Sequence, residues 1–326
     1  MQAIIIKEYG GVDGLGLAER PMPVPGSDQV LIEVKAFGIN HAEIYFRQGV
    51  WGEVAEISGI ECVGLVKSDP SGTFTPGQKV VAIVGGMGRS INGSYAEYTV
   101  VPVSNVASIA SKLPWETLAA IPESYATAWT CLFGNLALQP GQTLLIRGAT
   151  SALGQAAINL AAHHEARVIA TTRNRQRSAG LRAMGAAEVL LESANLSVEV
   201  RASYSTGIDA VLDLIGSSTV LDSLAMLRRD GRVCQAGFLG GGAPMSEFNP
   251  VFQIPSGRHW SVLATALVTG TEGFPIKEIP FQEFVDRVAD GSYHAGPAHV
   301  FAFDQIRAAH RLVEEGKARG KVVVRL

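Results

Sequence analysis

The chain is short of several things, and each shortage excludes something. Only three cysteines, Cys62, Cys131 and Cys234, occur in 326 residues. They stand far apart with no C-x-x-C pair, so neither a disulfide framework nor a structural zinc cluster is encoded, and buried free thiols are expected. Charged residues make up only 17% of the chain and the formal net charge is −3. With no basic run, there is no electrostatic footprint for nucleic acid. No apolar run is long enough to span a bilayer. The start, Met1-Gln2-Ala3-Ile4-Ile5-Ile6-Lys7, reads as a strand and lacks the apolar core and cleavage site of a signal peptide. A cytoplasmic protein with no membrane or nucleic-acid partner is expected.

Glycine, by contrast, is abundant at 36 residues, which fits an α/β protein with many tight turns, and the length accommodates two domains. Residues 1 to about 120 read as short strands broken by turns, among them 30–36, 75–81 and 95–100, and predict a β-rich, partly barrel-like domain. From about 120, strands at 143–147, 167–171, 208–214 and 232–236 alternate with helices, one of them running to about Leu227. That alternation predicts a parallel sheet with helices on both faces. Residues 260–267 read as a final apolar strand at the sheet edge. Residues 281–289 and 304–315 have helical spacing, with Asp304 as N-cap of the second and Gly316 as its stop. Residues 321–326 close the chain as a strand. The expected division is 1–122 with 269–326, and 123–268.

The densest signal is Leu144-Leu145-Ile146-Arg147-Gly148-Ala149-Thr150-Ser151-Ala152-Leu153-Gly154-Gln155. An apolar strand turns through small residues into an Ala-rich helix, a unit that presents backbone N–H groups and the helix's positive end to a pyrophosphate. Gly148, Ser151, Ala152, Leu153 and Gly154 are therefore cofactor-binding candidates, with Ser151 at the middle glycine position of the G-x-G-x-x-G pattern. Close packing of helix on strand is the competing explanation. One strand later come Thr172-Arg173-Asn174-Arg175-Gln176-Arg177. An NAD site has Asp or Glu there for the ribose 2′-hydroxyl. Arg173 stands here instead, and a guanidinium suits a 2′-phosphate. Thr172, Arg173 and Arg177 join the candidates and NADPH is the expected cofactor, against a merely solvated basic helix start. Ligands of such sheets lie across the carboxyl ends of strands, which adds Gly216, Gly237, Phe238 and Leu239. A flexible glycine-rich connection is the alternative for the last three.

In order along nearly the whole chain, a set of short motifs resembles the medium-chain dehydrogenase/reductase superfamily, in its zinc-independent quinone oxidoreductase branch. They are Pro25-Gly26, Gly38-Ile39-Asn40-His41-Ala42-Glu43-Ile44-Tyr45-Phe46-Arg47-Gln48-Gly49, Gly59-Ile60-Glu61-Cys62-Val63-Gly64, Phe74-Thr75-Pro76-Gly77-Gln78-Lys79-Val80, Gly93-Ser94-Tyr95-Ala96-Glu97-Tyr98, Thr127-Ala128, the loop at 148–154, and Gly320-Lys321-Val322-Val323. The resemblance implies a Rossmann doubly wound parallel sheet joined to a β-rich GroES-like catalytic domain, and a homodimer. The zinc-dependent branch carries a catalytic Cys near Asn40 and Gly-His-Glu where this chain has Gly59-Ile60-Glu61. Two of the three expected ligands are missing, so a metal-free site is implied.

Without a Lewis acid the chemistry must suit an acceptor that takes hydride readily, and quinones and conjugated enals or enones qualify. The resemblance implies NADPH-dependent reduction of a quinone to a hydroquinone. The alternatives are reduction of an activated C=C bond in an enal, enone or enoyl thioester, and a non-catalytic NADPH-binding redox sensor. It also implies that Tyr45 hydrogen-bonds or protonates the substrate, Asn40 orients substrate or cofactor, Trp51 shapes the pocket, and Thr127 contacts the nicotinamide end. Glu43 is expected to make a structural hydrogen bond. Glu61 reads as a charge behind the site or, preferably, an acceptor tying strands together. Glu192 stands where some NADPH-using relatives place Tyr, and its carboxylate is expected to oppose a 2′-phosphate.

Overall fold

Strands fill the first third of the chain, as its turn-broken apolar runs require: β1 (Gln2–Ile6), β2 (Leu15–Glu19), β3 (Gln29–Ile39), then α1 (His41–Gln48), β4 (Glu61–Ser68), β5 (Lys79–Ile83), β6 (Tyr98–Pro102) and β7 (Val106–Ser108). Helices α2 (Trp115–Leu118) and α3 (Pro122–Trp129) follow, and α3 continues as a π-helical turn over Thr130–Asn135. Strand–helix alternation then takes over: β8 (Thr143–Arg147), α4 (Ala152–His163), β9 (Arg167–Thr172), α5 (Ser178–Ala183), β10 (Glu188–Leu191), α6 (Leu196–Ser203), β11 (Ile208–Asp213), α7 (Val220–Met226), β12 (Leu227–Gln235), α8 (Pro250–Gln253) and β13 (His259–Val262). The chain ends with α9 (Thr265–Val268), α10 (Phe281–Ala289), β14 (Pro297–Ala302), α11 (Ile306–Glu314) and β15 (Lys321–Arg325).

This computed structural model describes residues 1–326 and divides into two units, Met1–Ala126 with Thr265–Leu326, and Thr127–Ala264. In the second unit six strands run in the order β10-β9-β8-β11-β12-β13, every neighbouring pair parallel. Leu144, Leu145 and Ile146 of β8 have no exposed surface, because a central parallel strand is covered on both faces. This strand order brings the carboxyl ends of the two halves side by side at the switch between β8 and β11, where such sheets bind ligands. Leu145, Ile169, Val211, Leu224 and Val233 belong to the apolar core beneath it.

The other unit is built on β3, eleven residues long, which pairs antiparallel with β4, β6 and β15. The sheet order is β14-β15-β3-β4-β5-β7, with β6 also paired to β3 alongside β15, and β1 and β2 form a separate ribbon. Helix α11 buries Ile306, Ala309, His310 and Val313, the spacing of one helical face, and Ile306, Ala309 and Val313 join Phe37 and Val324 in the core.

Two expectations need correction. The apolar run at 260–267 is not one strand: β13 stops at Val262, and Thr265–Val268 is helical. Uniform apolarity cannot tell a short strand from a buried helical turn. Asp304 does not cap α11 either; it lies inside a 3₁₀ turn, Phe303–Gln305, that leads into the helix.

Candidate active site

The predicted cofactor loops follow β8, β9, β11 and β12. Gly148 has φ +78°, and a side chain there would come within 3.0 Å of Leu239 and 3.2 Å of Leu214, so the loops after β8, β11 and β12 touch. At Gly154 a Cβ would approach the Ala149 Cα at 2.6 Å, so only glycine allows α4 to start this close to the end of β8. Ser151 needs no such freedom, since its φ is −73°. It is the N-cap of α4, accepting a hydrogen bond from the Gly154 N–H at 3.1 Å and donating to the Gly148 carbonyl at 2.9 Å. That explains serine at the middle position of the motif. The N–H groups of Ala152 and Leu153 have no acceptor within the chain, and they open a twelve-residue helix. Free donors and the positive helix end form an anion cradle, and the donor set fits a pyrophosphate.

The second half of the sheet frames the same rim. Asp213, buried at the end of β11, accepts from the N–H groups of Ile215 and Gly216 at 2.9 and 3.0 Å. Gly216 (φ +112°) backs onto the Gly237 carbonyl, 2.8 Å from where a Cβ would be. Phe238 and Leu239 continue that loop. Thr127 is buried in α3. At the end of β9, Thr172 is buried while Arg173 is exposed and Arg177 half-buried.

Glu192 does not stand alone as a repelling carboxylate. Its Oε1 accepts from Nε of Arg147 at 3.1 Å and from Nη2 of the same guanidinium, and its Oε2 accepts from the Thr171 hydroxyl at 2.7 Å. Arg147 is wholly buried. A charged residue ending an apolar strand was the available signal, and its partners lie 45 to 76 positions away.

In the other unit, α1 carries the second set of candidates. The Asn40 backbone N–H donates to the Glu43 carboxylate at 2.8 Å, Ile60 N–H donates to the same carboxylate at 3.1 Å, and Gly49 (φ +73°) terminates the helix. Glu43 is thus a structural acceptor at the start of the helix. Arg47, fully buried, fixes the other end by donating to the Gly10 carbonyl at 2.6 Å and to Glu314 at 2.9 Å. Tyr45 is left half-buried, with the Trp51 ring 5.4 Å and the His41 ring 6.4 Å from its own. Burial raises the Tyr45 pKa above its ordinary value, so the hydroxyl keeps its proton at neutral pH. Burial first, and Lys321 second, lower that of His41.

The amide of Asn40 is largely committed within the protein. Its Nδ2 donates to Glu61 at 3.0 Å and Glu43 at 3.3 Å, and its Oδ1 accepts from the Lys321 ammonium at 2.5 Å. Glu61 is wholly buried, pairs with Lys321 at 2.5 Å and accepts the Glu123 N–H at 2.7 Å. Glu61 is thus an acceptor that ties segments together, as preferred, and at the same time half of a buried ion pair. Lys321, 4% exposed, also lies 3.7 Å from the Glu123 carboxylate. Gly38 makes the room, since a side chain there would collide with both Glu61 and Lys321. Burial, then the Glu61 charge, push Glu43 up to about 7. Burial by itself would depress Lys321, but Glu61 and Glu123 raise it. Sequence reasoning missed Lys321 and Glu123 as members of this cluster; the signal was a lone cation opening the apolar strand 321–324.

No three His, Cys, Asp or Glu side chains converge to hold a metal ion, and all three cysteines are buried and free. No helix is long and apolar enough to cross a membrane.

Two family models match this chain in sequence order: the alcohol dehydrogenase GroES-like domain over residues 26–111, and zinc-binding dehydrogenase over residues 152–268. The quinone oxidoreductase of Lama guanicoe is 26% identical over 339 aligned positions, covering 100% of this chain and 98% of the relative. The chain belongs to the medium-chain dehydrogenase/reductase superfamily. Its relatives place it in the quinone oxidoreductase branch, and it is an oxidoreductase built for a nicotinamide cofactor and a small-molecule substrate. Mycobacterial Rv1454c, solved with NADPH, is 26% identical with a TM-score of 0.86, and each chain is covered completely. An NAD-dependent alcohol dehydrogenase is also 26% identical, with a TM-score of 0.82 and complete coverage of both chains. A medium-chain reductase of this kind joins the GroES-like unit described above to a Rossmann unit. The name of the second family model follows the superfamily; the residues at positions 40 and 60 are asparagine and isoleucine.

Proposed function

We propose that this reductase transfers hydride from NADPH to a quinone without a metal ion. The observation that carries the cofactor half is Arg173: exposed at the end of β9, with no acidic residue at that position, it offers a guanidinium where a ribose 2′-phosphate is bound. The cradle at 148–154 holds the pyrophosphate, with Gly148, Ser151, Ala152, Leu153 and Gly154 as its members. Thr172, Arg177, Gly216, Gly237, Phe238 and Leu239 line the rest, and Thr127 faces the nicotinamide end. When bound, the cofactor supplies a hydride.

Hydride plus one proton converts a quinone to its hydroquinone. Tyr45 delivers that proton or hydrogen-bonds the acceptor oxygen, because its hydroxyl is protonated at working pH. Trp51, packed on Tyr45, shapes the pocket, and Asn40 acts by holding the start of α1 through Lys321 and Glu61. The metal-free reading rests on the donor set at positions 40 and 60. A cytoplasmic homodimer is part of the proposal, with β13 on the open edge of the sheet seeking a partner strand across a twofold axis.

The experiment is NADPH oxidation by chelator-treated protein, with an ortho-quinone and a conjugated enal as parallel acceptors. Faster turnover of the quinone without metal supports the proposal. Preference for the enal makes the protein a reductase of activated C=C bonds, and activity lost on chelation restores a metal mechanism. Tight NADPH binding with no turnover of either acceptor points to a redox sensor.

A further inference from the structure

Arg147 closes β8 one residue before the phosphate cradle, with no exposed surface. Its guanidinium reaches two separate segments of the rim. Beside the Glu192 bonds described above, Nη2 donates to the Ser193 carbonyl at 2.8 Å, and Nη1 donates to Asp222 at 2.8 Å, the Ser223 hydroxyl at 3.3 Å and the Thr219 carbonyl at 3.3 Å. Ser223 and Thr219 in turn donate to Asp213 at 2.7 and 2.9 Å. One buried cation thus faces the carboxylates of Glu192, Asp222 and Asp213. Burial opposes its charge, while its hydrogen bond to Glu192 and the charges of Glu192, Asp213 and Asp222 raise its pKa above the ordinary value.

The position of Glu192 gives this network a consequence for the cofactor. The Glu192 N–H donates to the Thr172 carbonyl at 3.0 Å, so the carboxylate sits on the strand end next to the one that presents Arg173. The Thr171 hydroxyl that donates to Glu192 also accepts from the Gly148 N–H at 3.3 Å. A free carboxylate there, on the strand end beside the one that presents Arg173, would repel a 2′-phosphate. Held on one oxygen by a guanidinium and on the other by a hydroxyl, Glu192 does not.

We propose that Arg147 determines cofactor specificity by neutralising Glu192, so that Arg173 alone sets the charge at the adenosine end. The inference rests on the NADPH reading above and deepens it.

The test is equilibrium binding of NADPH and of NADH to the whole protein, by fluorescence titration, for wild type, Arg147→Met, Glu192→Gln and the double variant. Arg147→Met is expected to lower the NADPH-to-NADH preference about tenfold, equivalent to about 1.4 kcal/mol, because an unscreened carboxylate then repels the 2′-phosphate. Adding Glu192→Gln is expected to return most of that preference. An equal loss for both cofactors, or no recovery in the double variant, overturns the inference and leaves Arg147 a structural tie. If Arg147→Met does not fold, Glu192→Gln alone decides. A neutralised carboxylate predicts a preference within about threefold of wild type, and an unscreened one a preference for NADPH raised about tenfold. Wild-type preference for NADH would instead refute the NADPH reading, whichever way the variants move.

Discussion

Replacing Lys321 by methionine tests the buried cluster of the GroES-like unit most directly. The ammonium is 4% exposed and lies 2.5 Å from Glu61 and 3.7 Å from Glu123, with Glu43 two hydrogen bonds away through Asn40. Methionine keeps the length of the side chain and removes the charge, so the buried carboxylates lose their cation. Breaking one side of a buried ion pair costs about 3–5 kcal/mol. At roughly 2–4 °C per kcal/mol for a unit of this size, the melting temperature is expected to fall by about 6–20 °C. Scanning calorimetry of the cofactor-free protein reads it.

The pH dependence has a fixed sign. Glu43 is raised from an ordinary 4.5 to about 7, so between those values the folded state holds a proton that the unfolded state has released. Its contribution therefore favours the folded state at the acid end and is lost as pH rises toward 7. Without Lys321 the like charges repel more strongly, so the loss is expected to be larger at pH 8 than at pH 5.5, where protonation relieves it. Adding Glu61→Gln is expected to restore a good part of the stability, because the two sites are coupled. A melting temperature unmoved by Lys321→Met, or a loss equal at both pH values, would refute the reasoning.

Two substitutions probe the proposed chemistry itself. Tyr45→Phe is expected to lower kcat about 100-fold for quinone reduction with little change in NADPH affinity, the loss typical of removing a general acid; an unchanged kcat would make the tyrosine a packing residue only. Arg173→Ala is expected to raise the KM for NADPH about tenfold or more while leaving that for NADH nearly unchanged. Equal effects on both would remove the phosphate assignment.

The Rossmann half was legible because its signals are local. The apolar strand at 143–147, the small residues at 148–154 and the alternation after them are all contiguous, and a parallel strand buried on both faces looks apolar throughout. The place of Arg173, exposed one residue beyond its strand, was legible for the same reason. Residues 260–267 were misread because apolarity without alternation fits a strand or a helical turn equally well, and only the packing around Thr265 separates them. Ser151 looked like a departure from the glycine pattern; its backbone conformation and its two hydrogen bonds make it an ordinary helix cap.

What composition and motif order determined alone was the class: a two-domain α/β oxidoreductase with a dinucleotide loop and no zinc-ligand pair at positions 40 and 60. What only the tertiary structure decided was the state of the charges. Arg147 and Glu192 are 45 positions apart, and Lys321 and Asn40 are 281 apart. A carboxylate acts as a repelling charge, a neutralised partner or a proton carrier according to its neighbours and its access to water. Those neighbours come from distant segments that only the folded sheets bring together.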